Sequence, residues 1–237
     1  VEKLGVTGED LGKFAEVLQY TGGKLAQAGI VNAFDAITPL TYDALCSARG
    51  IKNFTKDMRR MPDKVKKVLD IILAEEMEEF KGLLSVLPPG SIAMIQPAVR
   101  ANSDFISRKL FEEMVFPHFK AYTDAVLEAG HNTFFHMDSN WDLFLDLFKE
   151  FPKGKCIWDT DGMTDIYKSK EVLGDIMCIT GNISSAMLTL GTPDEVYDEV
   201  KKQINELGPE RYIICSSCAV PPNAKPENVR AMVDAAV

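Results

Sequence analysis

Three side chains that could bind one metal ion follow predicted strands of this sequence. His136 and Asp138 form an H-x-D pair, and residues i and i+2 of an extended segment point the same way. Cys218 follows a later predicted strand, at an equivalent position. An imidazole, a carboxylate and a thiolate form a zinc ligand set with an open fourth position, where zinc lowers the pKa of a bound thiol or water. The alternative is that His136 caps the following helix and Cys218 is a small core residue.

Two further aspartates follow the next predicted strand. Asp159 and Asp161 could act as a general acid or base, bind a cation, or cap a short helix that we expect near Thr164. We assign a catalytic role to Asp161, together with His136 and Asp138.

Four polar residues after other predicted strands are candidates for substrate binding. Arg100 could bind a substrate carboxylate through two parallel hydrogen bonds, or it could form a salt bridge at the rim. Asn102 and Asp104 carry the same ambiguity. Asn182 either presents its amide to a ligand or closes a turn.

Cys215 and Cys218 form a C-x-x-C motif, but the context does not favour a redox pair. A thioredoxin-type pair needs a helix N-terminus to lower the thiol pKa, and this motif ends a strand and precedes two prolines. We therefore interpret Cys215 as a core residue.

Six short segments predict strands that are buried on both faces, which is typical of a parallel sheet. Each is rich in β-branched or aromatic residues. They are residues 30–34, 92–96, 133–136, 155–158, 176–180 and 212–215.

Amphipathic stretches between these strands predict helices. Pro62 begins one over residues 62–84, and Ser107 caps another over 107–129 that Pro117 kinks or splits. A shorter helix is expected over residues 141–151. Thr192, before a proline and two acids, marks a further helix start, and the last helix begins near Pro226.

Alternating strands and helices predict right-handed βαβ units and an α/β fold of the TIM (β/α)8-barrel type. Such a barrel needs eight strands, and six are visible. We therefore expect residues 1–237 to be one barrel domain that supplies the C-terminal six βα units and lacks the first strands, closed by an upstream segment or a partner chain.

The composition narrows the functional class. The 237 residues carry a formal net charge of -9, so a nucleic-acid partner is not expected. We find neither a run of 18 apolar residues nor a secretory leader, so we expect no membrane span. An odd number of cysteines, five, predicts reduced thiols and a cytoplasmic location.

Several segments resemble the uroporphyrinogen decarboxylase and corrinoid methyltransferase superfamily, in the order in which that superfamily has them. They are residues 49–65, ending RMPDKV; residues 100–117, RANSDFISRKLFEEMVFP; residues 136–138 with the helix after them; residues 181–196, GNISSAMLTLGTPDEV; and residues 217–232, SCAVPPNAKPENVRAM. The resemblance covers nearly the whole chain and implies a barrel of the decarboxylase type.

The resemblance implies one of two chemistries. The decarboxylases remove acetate carboxylates without a cofactor and have a glycine-flanked histidine where this chain has Cys218. The zinc methyltransferases have H-x-C and a C-terminal cysteine, and they pass a methyl group from a corrinoid protein to a thiol such as coenzyme M. This chain matches the methyltransferases at His136 and Cys218 but has Asp138 in place of cysteine, and a carboxylate makes zinc harder than a second thiolate would.

Three hypotheses follow. The first is a metal-assisted methyltransferase with zinc on His136, Asp138 and Cys218, a corrinoid protein as partner and a small-molecule methyl acceptor. The second is a metal-free decarboxylase in which Arg100 binds a carboxylate. The third is a non-catalytic barrel that binds a corrinoid protein or another partner. A homo-oligomer is compatible with each of them.

Overall fold

The computed structural model describes residues 8–30, 34–96 and 100–237. Its centre is a six-stranded sheet whose spatial order is the sequence order. Every neighbouring pair of strands is parallel. The strands are β1 (Ala36–Pro39), β2 (Ile92–Gln96), β3 (Asn132–Met137), β4 (Cys156–Thr160), β5 (Cys178–Ile183) and β6 (Tyr212–Ser216).

Helices connect the strands and cover one face of the sheet. They are α1 (Gly8–Gln27), α2 (Thr41–Arg49), α3 (Ile51–Arg60), α4 (Pro62–Ser85), α5 (Arg108–Met114), α6 (Phe116–Glu128), α7 (Ile166–Leu173), α8 (Ser185–Leu190), α9 (Pro193–Leu207) and α10 (Pro226–Ala236), with a 3-10 helix at Leu145–Glu150. Among the described residues, none of these helices has both the length and the apolar character that crossing a membrane requires.

This arrangement confirms the predicted fold class. Parallel neighbours in sequence order, joined by helices, form successive βαβ units of a partial TIM barrel. Within the described residues, β1 and β6 are the two edges of the sheet, and Ile37 and Ile213 on these strands are each 50% exposed. The assignment of residues 1–237 to a single domain stays a prediction.

The two faces of the sheet carry different kinds of side chain. Phe135 of β3 and Trp158 of β4 point toward the helices, where both pack against Phe148. Side chains alternate along a strand, so the next residues, His136 and Asp159, point to the opposite, inner face. The sequence of each strand thus places an aromatic core residue beside a polar residue of the inner face.

Local signals account for most helix boundaries. Ser107 accepts a hydrogen bond from the backbone N–H of Leu110, which confirms the predicted N-cap. Pro117 lies in the first turn of α6, so it splits the predicted 107–129 helix into α5 and α6. Thr192 and Glu195 form a capping box at the start of α9.

The first predicted strand was wrong at the two ends that the structure describes. Residues 31–33 of the 30–34 prediction lie outside the described residues, and neither Ile30 nor Phe34 belongs to a strand. The first strand among the described residues is Ala36–Pro39, in register with Ala93 to Gln96 of β2. Pairing with β2 selects this segment, although its four residues include a proline and carry a weak strand signal.

The predicted helix over residues 141–151 was also wrong in its first half. Residues 142–144 form a turn, and only Leu145–Glu150 is helical, with 3-10 geometry. Asn140 accepts a hydrogen bond from the backbone N–H of Asp142, and the backbone N–H of Trp141 donates to Thr164. These side-chain contacts replace the backbone hydrogen bonds of a first helical turn.

Candidate metal centre

His136, Asp138 and Cys218 lie together at the C-terminal ends of the strands. The Nε2 atom of His136 is 3.3 Å from an Asp138 carboxylate oxygen and 3.9 Å from the Cys218 sulfur. One ligand atom from each residue lies within 4.8 Å of the other two. The structure therefore brings these three predicted ligands into a group that could hold one metal ion.

Three separate segments supply these ligands. His136 is the fifth residue of β3, and Asp138 comes directly after that strand. Cys218 lies in the loop after β6, where its carbonyl accepts a hydrogen bond from the Ser216 hydroxyl at 2.5 Å. The backbone N–H of Ser217 donates to the carbonyl of Ile183 at the end of β5. The loop that carries the sulfur is thus hydrogen-bonded to the last residue of β5 and to the last residue of β6.

The three candidate side chains differ in their exposure to solvent, and the difference would let a small molecule reach the group from outside. Cys218 is exposed, whereas the side chains of His136 and Asp138 are 13% and 22% exposed. A mixed nitrogen, oxygen and sulfur set of three is within the range of donors that catalytic zinc sites use. The residues therefore fit a zinc ion that would keep a fourth position for a ligand from outside the protein.

Asp159 adds a fourth group that contacts the imidazole. Its Oδ2 atom lies 2.5 Å from Nδ1 of His136, the ring nitrogen opposite to the one that faces Asp138. Sequence reasoning named Asp159 but did not connect it to His136. The signal was the register of two parallel strands, which pairs His136 with Asp159 directly.

Two carboxylates control the protonation of the imidazole in the metal-free protein. The pKa of His136 is raised to about 11, first by its hydrogen bond to Asp138 and then by that to Asp159. Burial raises the pKa of Asp159. An incoming metal ion would therefore replace a proton at Nε2 of His136.

Asp161, the predicted catalytic aspartate, bridges two rim loops. Its carboxylate accepts hydrogen bonds from the backbone N–H groups of Ser139, at 2.7 Å, and Met163, at 2.9 Å. The helix cap expected near Thr164 is instead Asp165, which accepts from Tyr167 and Lys168. The catalytic role of Asp161 stays a prediction.

The polar residues after β2 turn toward their own loop and toward α2. The guanidinium of Arg100 donates to the Ser47 hydroxyl at 2.9 Å and lies 3.8 Å from the Asp43 carboxylate. Asn102 is fully buried, and its side chain accepts from the backbone N–H of Asp104 at 2.8 Å. Asp104 is exposed.

Asn182 lies beside the loop between β4 and α7, residues 161–165, which is called the 160s loop below. Its side-chain oxygen accepts from Gln203 at 3.3 Å, and a Cβ atom on Gly162 would stand 3.9 Å from its amide nitrogen and from Cβ of Ser217. The Asn182 amide and Ser217, the neighbour of Cys218, therefore both lie close to Gly162. Substrate binding by Arg100, Asn102, Asp104 and Asn182 stays a prediction. All five cysteines are free thiols; Cys215 is half-buried and lies outside the buried core clusters, so it is not the core residue that we expected, and burial raises the pKa of its thiol.

Two comparisons with single proteins bear on the fold. A methyltransferase from Methanosarcina mazei superposes with a TM-score of 0.69 at 19% sequence identity, covering 90% of this chain and 61% of that one. At this identity the likeness shows the fold, and the chain spans about three fifths of the length of that structure. No curated protein sequence matches.

A family comparison covers almost the entire sequence. The family model described as uroporphyrinogen decarboxylase (URO-D) matches residues 10–237. The match includes every strand of the sheet and all three residues of the candidate metal centre. It confirms the resemblance found in the sequence: the chain belongs to the uroporphyrinogen decarboxylase (URO-D) family.

Proposed function

We propose that this chain is the metal-binding part of a methyltransferase that moves a methyl group between a corrinoid protein and a thiol or similar acceptor. The observation that carries the proposal is the group formed by His136, Asp138 and Cys218, whose ligand atoms lie within 4.8 Å of one another. The family alone does not decide the chemistry, because one fold can carry several activities.

The protein residues would do three things in this reaction. His136, Asp138 and Cys218 would hold zinc, which would lower the pKa of an acceptor thiol at the open position. Asn182, at the edge of the 160s loop, would contact the acceptor. Asp161, which joins the loops after β3 and β4, would keep the rim in the geometry that ligand binding requires.

The methyl donor would approach from the exposed side of the centre. Cys218 is exposed, so a corrinoid carried by a partner protein could reach an acceptor bound next to it. The corrinoid would supply the labile methyl group, while the protein supplies binding, orientation and metal. As part of this proposal, residues 1–237 are the C-terminal six βα units of one barrel, in a cytoplasmic enzyme.

Metal analysis of the purified protein tests the proposal directly. We expect one zinc per chain after loading and desalting, and loss of that zinc in His136→Ala and Cys218→Ala. Cys178→Ala is the matched control, because Cys178 is half-buried at the start of β5 and lies outside the metal group. Failure of the wild-type protein to retain zinc, or full retention by Cys218→Ala, would contradict the proposal.

Activity is tested with methylcobalamin or a methylated corrinoid protein and a panel of small thiols, including coenzyme M. Formation of the thioether should require zinc and should be lost in Cys218→Ala but not in Cys178→Ala. The alternative, a metal-free decarboxylase, rests on the description of the family model that matches the chain. Turnover of uroporphyrinogen by zinc-free protein, unaffected in Cys218→Ala, would establish that alternative.

A further inference from the structure

We infer that Asp159 is a positioning residue for the candidate metal centre, which holds the His136 imidazole so that Nε2 faces the metal position. The inference rests on the proposed function, since it concerns how the same group of ligands is oriented. Asp159 would not contact the metal. It would act through the ring of His136.

The strand register places the two side chains together. In the parallel pairing of β3 and β4, His136 stands opposite Asp159, as Phe135 stands opposite Trp158. Because Phe135 and Trp158 belong to the aromatic core on the helix side, His136 and Asp159 must both point to the inner face. A shift of one residue in this register would move the pair apart and would also place Phe135 on the wrong face.

The hydrogen bond selects which ring nitrogen is available. Nδ1 of His136 lies 2.5 Å from Oδ2 of Asp159, and a carboxylate in this position favours the tautomer in which Nδ1 carries the proton and donates a hydrogen bond to it. The other nitrogen, Nε2, faces Asp138 at 3.3 Å and the sulfur of Cys218 at 3.9 Å. A histidine that donates one ring N–H to a carboxylate offers the other nitrogen to a metal in a fixed direction.

The surroundings of Asp159 point to the same role. Asp159 is only 5% exposed, and its other carboxylate oxygen, Oδ1, is buried with no hydrogen-bond partner among the described residues. In the described part of the chain, its hydrogen bond goes to His136. Asp161 and Asp165, by contrast, both accept hydrogen bonds from the backbone N–H groups of rim residues. Asp159 is thus the aspartate of this strand and loop whose contact is with the imidazole.

The test measures zinc affinity by chelator competition in the wild type, Asp159→Asn and Asp159→Ala. We expect the dissociation constant for zinc to rise by roughly 10- to 100-fold. The rise should be larger for Asp159→Ala than for Asp159→Asn, because the asparagine oxygen can still accept a hydrogen bond from Nδ1–H. Asp165→Asn is the matched control. This substitution removes the same charge at the exposed N-cap of α7, where asparagine is also a favoured residue. The variant should bind zinc like the wild type.

Two readouts separate positioning from a general loss of structure. Nitrogen-15 NMR of the zinc-loaded protein should show His136 with a protonated Nδ1 and a metal-bound Nε2 in the wild type and in Asp165→Asn. Asp159→Ala should lose that pattern. The absorption spectrum of the Co²⁺-substituted protein should keep the band from Cys218 in Asp159→Asn while its d–d bands shift. Thermal melting of the metal-free variants monitors the fold.

The outcomes distinguish this inference from the proposed function. If the wild type binds no zinc, the proposed function fails and Asp159 has no centre to orient. If the wild type binds zinc and Asp159→Ala binds it within about twofold, with an unchanged nitrogen-15 pattern, the positioning role is overturned while the metal site stands. Weaker binding explained entirely by a lower melting temperature would likewise overturn the positioning role.

Discussion

The loop after β2 and the loops after β3 and β6 carry similar polar residues but use them differently. Arg100 and Asn102 direct their side chains to Ser47 and to the backbone of their own loop. His136 and Cys218 direct theirs to each other, across the rim and from distant parts of the sequence. The first set satisfies the local chain, and the second forms a group that a metal ion could complete.

The comparison teaches that residue type and position after a strand do not identify a functional residue. What separates the two regions is whether the side chains are already paired with α2 and with nearby backbone groups, as after β2, or meet one another across the rim, as His136 and Cys218 do. Buried polar groups need hydrogen bonds, and many residues at a barrel rim meet that need locally. The predictions below test whether the two regions differ as their contacts indicate.

The largest expected effect is on zinc binding. His136→Ala removes one of three ligands and the group that Asp159 orients, so we expect the zinc dissociation constant to rise by at least about 100-fold, equivalent to roughly 3 kcal/mol. Arg100→Ala should bind zinc like the wild type, since Arg100 contacts α2 and not the metal group. Chelator competition measures both. Equal loss in the two variants would erase the distinction between the regions.

The second-largest expected effect is that of low pH, which should weaken zinc binding but leave the loop after β2 unchanged. The pKa of His136 is raised to about 11, so zinc must displace a proton from the imidazole at neutral pH. Affinity should therefore fall as the pH falls, by at least about tenfold per unit between about pH 8 and pH 6, because each ligand that must lose a proton to bind the metal adds to the slope. The hydrogen bond from the backbone of Asp104 to Asn102 involves no titrating group and should not respond. A zinc affinity that is flat over this range would show that His136 is not a ligand.

The next prediction concerns the free energy of unfolding and the loop after β2. Asn102→Ala removes the acceptor for the backbone N–H of Asp104 from a fully buried position, and we expect a loss of about 1–3 kcal/mol in the free energy of unfolding. Urea denaturation measures it. Zinc affinity of the folded variant should not change. Asp104→Ala, at an exposed position two residues on, is the control and should cost less than about 0.5 kcal/mol.

The smallest expected effect is that of Arg100→Ala on stability. The guanidinium is 36% exposed and lies 3.8 Å from Asp43, whose side chain is only 2% exposed; because that buried carboxylate keeps a backbone hydrogen bond in the variant, the loss should cost about 1 kcal/mol. The backbone N–H of Arg100, which donates to the same carboxylate at 3.3 Å, is kept in the variant. A loss well above that of Asn102→Ala would mean that the ion pair, and not the buried amide, organises the β2 loop.

Much of the fold was predictable because its signals are local. Contiguous β-branched and aromatic residues predicted β2 to β6, and Ser107 and Thr192 marked helix starts through their own hydroxyl groups. β1 was not predictable in the same way, because Ala36–Pro39 forms a strand only by pairing with β2. The helix over residues 141–151 failed because contacts with Thr164, on another loop, replace its first turn.

The grouping of the three predicted metal ligands could be predicted from the sequence. The contact between Asp159 and His136 could not. H-x-D after one strand and Cys218 after another indicated a shared centre, and the structure brings them within 4.8 Å. The contact of Asp159 with His136 depends on which residues of β3 and β4 stand opposite each other. Sequence periodicity gives the face on which a residue lies, whereas the opposing residue depends on the pairing of whole strands.

The pairing of β3 with β4 also bears on how such a protein can vary. Phe135 with Trp158 and His136 with Asp159 are successive pairs of one ladder, so an insertion or deletion within either strand disturbs the aromatic core and the imidazole together. Asp138 and Cys218 lie beyond the strand ends, where substitutions leave that ladder intact. If the proposed function holds, a change of metal or acceptor would come from substitutions at Asp138 and Cys218, whereas substitutions at His136 and Asp159 would act within the ladder that the fold requires.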